Sequence, residues 1–255
     1  MKTGIYVDSE NIRLCGGYGM RYDALANLAK ADSSLLLRAN AYLAEDRERS
    51  KEDPDYRQRM HRYHHVLRQC GFRVIKKVVK HFVDDEGILT TKANADMDLA
   101  IDALQQARNL DRVILVSGDG DFVRLVQALQ SMGCRVEVIA FRNVSAELKE
   151  AADSYLSGYL VPRLLPITAA QDEDRQRGWA VNYNTDRGFG FMRYYRLGPE
   201  GLRQESVFFH CSKAQGNIDH LFSDPGHIFE FTIVRGQDES GKVKNEAIDI
   251  RHVEI

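Results

Sequence analysis

Four carboxylates in the first half of the chain have positions that suit metal-assisted chemistry. Asp8 directly follows the apolar run GIYV, while Asp119 and Asp121 follow the run RVILVSG within the segment SGDGDF. Asp96 begins a segment with helical spacing. Ligands of open α/β sheets bind outside the carboxyl ends of the strands, so Asp8 and Asp119 would meet there if their strands are neighbours.

Clustered carboxylates repel one another and therefore need a cation or a shared proton. Two charges about 5 Å apart cost roughly 3 kcal/mol at an effective dielectric constant of ~20. Oxygen ligands with open positions suit Mg²⁺ or Mn²⁺, and such a site can activate water against a phosphate. The alternative is that each Asp forms a turn or caps a helix. Asp98 and Asp102, four residues apart, are interpreted as a solvated helical stripe.

Within residues 1–163, predicted strands alternate with predicted helices, and these elements must position the carboxylates. Short apolar runs predict strands at 4–7, 35–43, 72–79, 112–118 and 135–141. Helical spacing predicts helices at 22–30, 55–69, 96–108, 122–132 and 146–152. Alternating strands and helices, with continuously apolar strands, predict an α/β fold in three layers, in which helices cover both faces of a parallel sheet.

The pattern changes in the last third of the chain. Residues 164–177 are mostly polar and are interpreted as a linker. From Gly178 onward the helical periodicity gives way to five short strand-like runs, which are WAVNY, FGFMRYY, SVFFHC, HIFEFTIV and KNEAIDIRHV. Five short strands over 178–255 predict a small all-β barrel of the oligonucleotide-binding (OB) type.

A basic stretch without any Asp or Glu lies within the predicted α/β region, from Arg57 to Lys80. It contains eight basic residues: Arg57, Arg59, Arg62, Arg68, Arg73, Lys76, Lys77 and Lys80. Cations beside an acidic pocket would let RNA phosphates approach, so Arg57, Arg62, Lys76 and Lys77 are predicted RNA contacts. A solvated helix face with edge-strand lysines is the equally weighted alternative. His61 and His65 are interpreted as surface or packing residues.

Aromatic residues alternate along two of the predicted barrel strands. Phe189 and Phe191 share one strand face within RGFGFM, and Phe208 and His210 share one within VFFHCS. Such a platform stacks bases at roughly 1–3 kcal/mol each. The alternative is that these rings fill the barrel core.

The segments DSEN (8–11), KANAD (92–96) and SGDGDF (117–122) resemble the signature of NYN-domain proteins in the PIN-like nuclease superfamily. The resemblance covers roughly residues 1–160. It implies a PIN-like, Rossmannoid fold and a metal-dependent ribonuclease whose pocket uses Asp8, Asp96, Asp119 and Asp121. Asn11 would support the pocket or contact phosphate, and Ser117 would orient the loop. Some members of such families bind RNA without cutting it.

The barrel motifs RGFGFM and VFFHCS resemble the paired nucleic-acid-binding motifs of the cold-shock domain. The resemblance implies that Phe189, Phe191, Phe208 and His210 stack bases, with Tyr183 beside them and Arg187 near the RNA backbone. The sequence departs from the family in two places. Asn182 stands where the family usually has a stacking Trp, with Trp179 three residues earlier, and the stretch 193–206 is longer than the usual turn.

Composition limits the remaining possibilities. A net charge of -2 means that nucleic acid must be bound by local patches. Four widely spaced cysteines form no zinc motif and are interpreted as free thiols. Without a targeting peptide or an apolar run of roughly 20 residues, we expect a cytoplasmic protein with no membrane contact. The family resemblance leaves a homodimer possible.

Three functions are consistent with these sequence features. The leading one is a divalent-metal-dependent endoribonuclease that acts on single-stranded RNA held by the cold-shock-like barrel. The second is a non-catalytic, RNA-binding regulatory protein that retains an acidic metal pocket. The third is a phosphotransfer or phosphatase module, which a D-x-D pair after the first strand would favour, and DSEN lacks that pair.

Overall fold

The computed structural model describes residues 1–83, 89–92, 95–167, 175–237 and 243–254. The chain divides into two compact units. Met1–Tyr18 and Leu25–Ser157 form the first, and Gly19–Ala24 and Gly158–Ile255 form the second. Helices with the length and apolar character that a bilayer crossing requires are absent from the described ranges.

The first unit is built on a parallel sheet. Its strands and those of a neighbouring hairpin are β1 (Lys2–Asp8), β2 (Leu35–Glu45), β3 (Arg73–Val78), β4 (Lys80–Val83), β5 (Leu89–Lys92), β6 (Arg112–Val116), β7 (Arg135–Ala140) and β8 (Ser154–Ser157). Six of these strands form the sheet in the order β3-β2-β1-β6-β7-β8, all paired in parallel. The strands β4 and β5 form a separate antiparallel pair.

Helices connect the parallel strands, as parallel pairing requires. They are α1 (Ser9–Leu14), α2 (Tyr22–Lys30), α3 (Arg47–Glu52), α4 (Pro54–Gln69), α5 (Asp96–Ala107), α6 (Val123–Ser131) and α7 (Ala146–Ala151). All five residues of β6 are buried, and so are six of the seven in β1. Strands buried on both faces read as continuous apolar runs. The predicted α/β class is therefore confirmed.

The sheet reverses its direction of growth at β1. The chain proceeds from β1 to β2 and β3 on one side, and the later strands β6, β7 and β8 extend the other side. Val7 pairs with Val116, so the two strands end at the same level. This topological switch point, at the carboxyl ends of β1 and β6, is where open α/β sheets bind ligands.

Some short elements were not predicted. The helices α1 and α3 have six residues each, and α3 buries no side chain, so neither has a helical apolar period to detect. The edge strand β8 contains four half-buried residues, too few to show a pattern. The hairpin strands β4 and β5 are also only four residues long.

The second unit contains a closed barrel of five strands. They are β9 (Arg175–Asn184), β10 (Phe189–Gly198), β11 (Gly201–His210), β12 (Ile228–Gln237) and β13 (Val243–Val253). Their order is β10-β11-β13-β12-β9, and β9 pairs with both β10 and β12. This fits the predicted OB-like barrel. Its core includes Met192, Phe209, Phe222, Phe229 and Phe231.

The first barrel strand begins at Arg175, inside the stretch interpreted as a linker. The Arg175 side chain is buried and forms ion pairs with Asp249 and Glu230. Arg177 pairs with the same Glu230 at 2.7 Å. These charges can be buried because their partners come from strands that are distant in sequence. The apolar periodicity of the sequence therefore does not predict this burial.

Candidate active site and nucleic-acid surface

Asp8 occupies the last position of β1 and is held from two directions. It is the N-cap of α1, where its Oδ1 accepts a hydrogen bond of 3.1 Å from the Asn11 backbone N–H. Its Oδ2 accepts a hydrogen bond of 3.0 Å from the Ser117 hydroxyl. The side chain is only 7% exposed. Both carboxylate oxygens therefore have defined orientations before any ligand binds.

Asn11 links the loop after β1 to the loop after β6. Its side-chain oxygen accepts a hydrogen bond of 3.0 Å from the Gly118 backbone N–H. On the other side of that loop, the Ser145 N–H donates to the Gly118 carbonyl at 3.0 Å. The Asn11 side chain thus joins the two loops, and support of the pocket stays one of its two predicted roles.

The segment SGDGDF folds as a compact turn. The fully buried Ser117 hydroxyl accepts a hydrogen bond from the Asp119 N–H at 3.2 Å while it donates to Asp8. The Asp119 carboxylate in turn accepts from the Asp121 N–H at 3.0 Å and caps a single 3-10 turn, Gly120–Phe122. Asp119 is half-buried and Asp121 is exposed. Capping is thus one role of Asp8 and Asp119, as the alternative interpretation held.

Mutual repulsion distinguishes Asp8 and Asp119 from ordinary helix-capping residues. Burial raises the pKa of the Asp8 carboxyl, hydrogen bonds from Asn11 and Ser117 lower it, and the charge of Asp119 raises it again. Burial, followed by the charges of Asp8 and Asp119, also raises the pKa of the Cys15 thiol. Asp8 and Asp119 are therefore close enough to repel each other, and a cation between them would relieve that repulsion.

The donor set fits a hydrated Mg²⁺ or Mn²⁺ better than a complete protein cage. Within the described ranges, no group of three or more His, Cys, Asp or Glu side chains is arranged to hold a metal ion. Magnesium is commonly bound through one or two carboxylates and keeps several waters for substrate phosphates. Asp8 and Asp119 would supply two such oxygen ligands from neighbouring strand ends.

The remaining predicted carboxylates lie on α5. Asp96 is half-buried at the first position of α5, and Ala93 and Asn94 of the KANAD segment lie outside the described residues. Asp98 pairs with Lys77 at 2.9 Å. Asp102 accepts a hydrogen bond of 2.9 Å from the Tyr42 hydroxyl, which corrects the interpretation of a solvated Asp98–Asp102 stripe.

The basic stretch is partly neutralised by carboxylates that are remote in sequence. Lys76 pairs with Glu45 on β2 at 2.6 Å, and Lys77 pairs with Asp98. These two lysines are therefore engaged within the protein. Arg57 and Arg62 are exposed on α4, where the Arg57 guanidinium donates a hydrogen bond of 3.3 Å to the Ser50 carbonyl.

The aromatic platform is assembled by direct cross-strand pairing. Phe189 stands opposite His210 and Phe191 opposite Phe208, so these four side chains share one sheet face. The Phe208 ring lies 5.9 Å from the Phe189 ring and 6.1 Å from the Phe191 ring. Phe191 is 40% exposed, whereas Phe209, on the other face, is fully buried. The platform is thus on the outer face of the barrel, so these rings are not its core.

Tyr183 does not lie beside this platform, which corrects the prediction. Phe189 pairs with Asn184 and Phe191 with Val181, so Asn182 and Tyr183 stand opposite Gly190 alone. Asn182 has the positive φ of 52° that such a bulge uses. The extra residue turns Tyr183 to the inner face, where its ring stacks on Phe209 at 5.8 Å. Arg187 is exposed in the turn before Phe189.

Three further residues of the outer face were not assigned from the sequence. The Trp179 ring lies 5.5 Å from the Tyr195 ring, and Lys244 places its ammonium 4.5 Å from the centre of the Phe208 ring. Alternation along the strands was the available signal for Trp179 and Tyr195. The contact between Lys244 and Phe208 depends on the pairing of β11 with β13, which no local pattern reveals.

Comparison with known proteins agrees with this architecture. The family model described as NYN domain matches residues 2–164. The chain is 31% identical over 94 residues to the "Low amplitude and bright protein LabA" of Synechococcus elongatus, and this match covers 36% of the chain and half the length of that relative. A crystal structure of a Vibrio parahaemolyticus protein of unknown function superposes with a TM-score of 0.50 at 31% identity, covering 61% of this chain and 91% of that one.

Proposed function

Because the chain belongs to the NYN-domain family of PIN-like nucleases, we propose that it is a divalent-metal-dependent endoribonuclease that acts on single-stranded RNA. The observation that carries this proposal is the placement of Asp8 and Asp119. Two mutually repelling carboxylates stand at the ends of neighbouring parallel strands, at the switch point of the sheet.

In this proposal Asp8 and Asp119 hold Mg²⁺ or Mn²⁺, with Asp96 and Asp121 as further carboxylates of the pocket. A bound divalent metal supplies an activated water and stabilises negative charge on the scissile phosphate. The Ser117 hydroxyl orients Asp8 and favours its ionised form, since it donates to the charged carboxylate. Asn11 holds the Gly118 backbone in place and so keeps the two loops at a constant separation.

The barrel supplies RNA affinity in this proposal. Exposed or half-buried rings at Phe189, Phe191 and Phe208, with His210, offer faces on which unpaired bases can stack. The exposed cations Arg187 and Lys244 would meet the phosphates. Such stacking tolerates any base sequence, so we expect weak sequence preference.

The decisive experiment measures cleavage of a labelled, unstructured RNA. The wild-type protein with Mn²⁺ or Mg²⁺ is compared with the same protein in EDTA and with Asp119→Asn. We expect cleavage that needs metal and is lost in the variant. Cleavage that persists in EDTA, or that Asp119→Asn retains in full, would contradict the proposal.

The second candidate is an RNA-binding regulatory protein without catalysis. The observation in its favour is that the described residues assemble no group of three metal-binding side chains. This function predicts that the wild-type protein and Asp119→Asn bind RNA equally well and that neither cuts it with any divalent metal. The same experiment, with binding measured alongside cleavage, therefore separates the two candidates.

A further inference from the structure

The outer face of the barrel carries aromatic residues beyond the four-residue platform. Alternate residues along β10 face outward, so Phe189 and Phe191 are followed on the same face by Arg193 and Tyr195. On β9, Trp179 pairs with Arg193, and its ring contacts the Tyr195 ring at 5.5 Å. The aromatic surface therefore continues along β10 beyond Phe191, toward the turn of the β10–β11 hairpin.

These outward side chains are not needed to fill the barrel core. The intervening residues Met192 and Tyr194 point inward and are 0% and 5% exposed, and Tyr194 packs edge-on against Phe231 at 5.8 Å. Trp179 and Tyr195 remain half-buried on the other face. A Trp–Tyr pair left partly in water forms a ready stacking surface.

Arg193 differs from the other arginines of this hairpin. Arg196 pairs with Glu205 at 3.6 Å, and Arg203 pairs with Glu200. Among the residues that the structure describes, Arg193 has no ion-pair partner, and it stands between Trp179 on β9 and Ser206 on β11. An unpaired guanidinium beside aromatic side chains complements a phosphate that follows a stacked base.

We propose that Trp179, Arg193 and Tyr195 form a second RNA subsite, which takes a further base and its phosphate. The subsite rests on the proposed RNA-binding function and lengthens the strand that the barrel binds. From Phe189 to Tyr195 the row spans about 20 Å, at roughly 3.4 Å per residue. This length suits a single strand that crosses both groups of rings, within the ~4–16 nucleotides typical of OB folds.

Trp179 reports directly on this subsite because it is the only tryptophan in the chain. Labelled oligouridylates of about four and about ten nucleotides are titrated into the full chain, with anisotropy reporting binding and Trp emission reporting the subsite. We expect both lengths to bind, but only the longer one to quench Trp179 strongly. Anisotropy then gives the affinity for each length independently.

Variants assign the extra affinity to named side chains. Arg193→Ala and Tyr195→Ala are each expected to weaken binding of the longer oligonucleotide about tenfold. This corresponds to the loss of roughly one stacking or phosphate contact. The shorter oligonucleotide should bind these variants as it binds the wild type. Arg196→Ala is the matched control, since it removes the same charge from the same strand on the other face.

The outcomes separate this subsite from RNA binding in general. If the longer oligonucleotide binds without quenching Trp179 and Arg193→Ala binds it like Arg196→Ala, the subsite is overturned while RNA binding stands. If neither length binds the wild-type protein, the RNA-binding function fails, and the subsite fails with it. Circular dichroism of each variant shows whether the barrel remains folded.

Discussion

The Ser117 hydroxyl donates a hydrogen bond of 3.0 Å to the Asp8 carboxylate and joins the ends of two neighbouring strands. The same oxygen accepts the Asp119 N–H at 3.2 Å. Ser117 thus connects the two acidic residues of the proposed site. In the proposed function it is a positioning residue whose effect passes through the ionisation and direction of Asp8.

Ser117→Ala tests this positioning role. Loss of a hydroxyl that donates to the charged carboxylate raises the Asp8 pKa further, because burial and the charge of Asp119 already oppose ionisation. We expect metal affinity at neutral pH to fall about tenfold or more, given ~1.5–3 kcal/mol for a hydrogen bond to a charged group. The acidic limb of the pH–rate profile should move to higher pH.

The control for Ser117→Ala is Ser131→Ala, which removes an exposed hydroxyl that donates to the Gln127 carbonyl. It should leave both the metal affinity and the profile unchanged. A Ser117→Ala protein with lower activity but an unshifted acidic limb would contradict the proposed action through Asp8.

Asp8→Asn should abolish cleavage and yet stabilise the metal-free protein. The raised pKa means that the folded state binds this proton more tightly than the unfolded chain does, so stability is lost as pH rises and the carboxyl ionises. The neutral amide avoids this loss at neutral pH. Thermal unfolding in EDTA should therefore give a higher Tm for Asp8→Asn than for the wild type.

Metal provides the matched comparison for Asp8→Asn. Adding Mg²⁺ or Mn²⁺ should raise the Tm of the wild type, because a ligand that binds only the folded state stabilises it. The variant should show little response. Equal metal-induced shifts in both proteins would place the metal elsewhere.

Phe189→Ala combined with Phe208→Ala should weaken binding to single-stranded RNA. Each ring contributes roughly 1–3 kcal/mol of stacking per base, so we expect a loss of at least about tenfold. Because both residues face outward from the barrel, the fold should persist. Fluorescence anisotropy with a labelled oligoribonucleotide measures the affinity.

Tyr183→Phe is the control for the platform. Its ring packs against Phe209 and Phe222 on the inner face, so removing the hydroxyl should leave RNA affinity unchanged. A loss equal to that of the double variant would show that the Tyr183 hydroxyl also contributes to RNA binding, so that the outer face alone does not account for it.

His64 should make the stability of the first unit depend on pH. Burial, followed by the charge of Lys76, lowers its pKa from 6.5 to about 4. The unfolded chain gains a proton as the pH falls through 6.5, whereas the folded chain does not until about 4. Stability should therefore decline over that window, by up to about 3 kcal/mol.

Chemical unfolding between these two pH values measures the effect. His64→Leu should flatten the decline, because the folded state then no longer excludes a proton that the unfolded state binds. His65→Gln removes an exposed neighbour and should retain the wild-type dependence. An equally steep decline in His64→Leu would assign the pH dependence to other groups.

Much of the architecture could be read from local patterns. Buried strands such as β6 are continuous apolar runs, and parallel strands expose their carboxyl ends together, so Asp8 and Asp119 could be assigned to one edge of the sheet. Alternation likewise placed Phe189 with Phe191 and Phe208 with His210, because side chains of a strand change face at every residue.

The tertiary structure decided which residues meet. The Ser117–Asp8 and Asn11–Gly118 contacts join residues 109 and 107 positions apart, and they exist only because β1 and β6 are neighbours. Partners from β2 and α5 neutralise Lys76 and Lys77. One bulged residue at Asn182 turns Tyr183 into the core. Local periodicity reports which face a side chain occupies, whereas its partner is set by strand order and register, which depend on the whole chain.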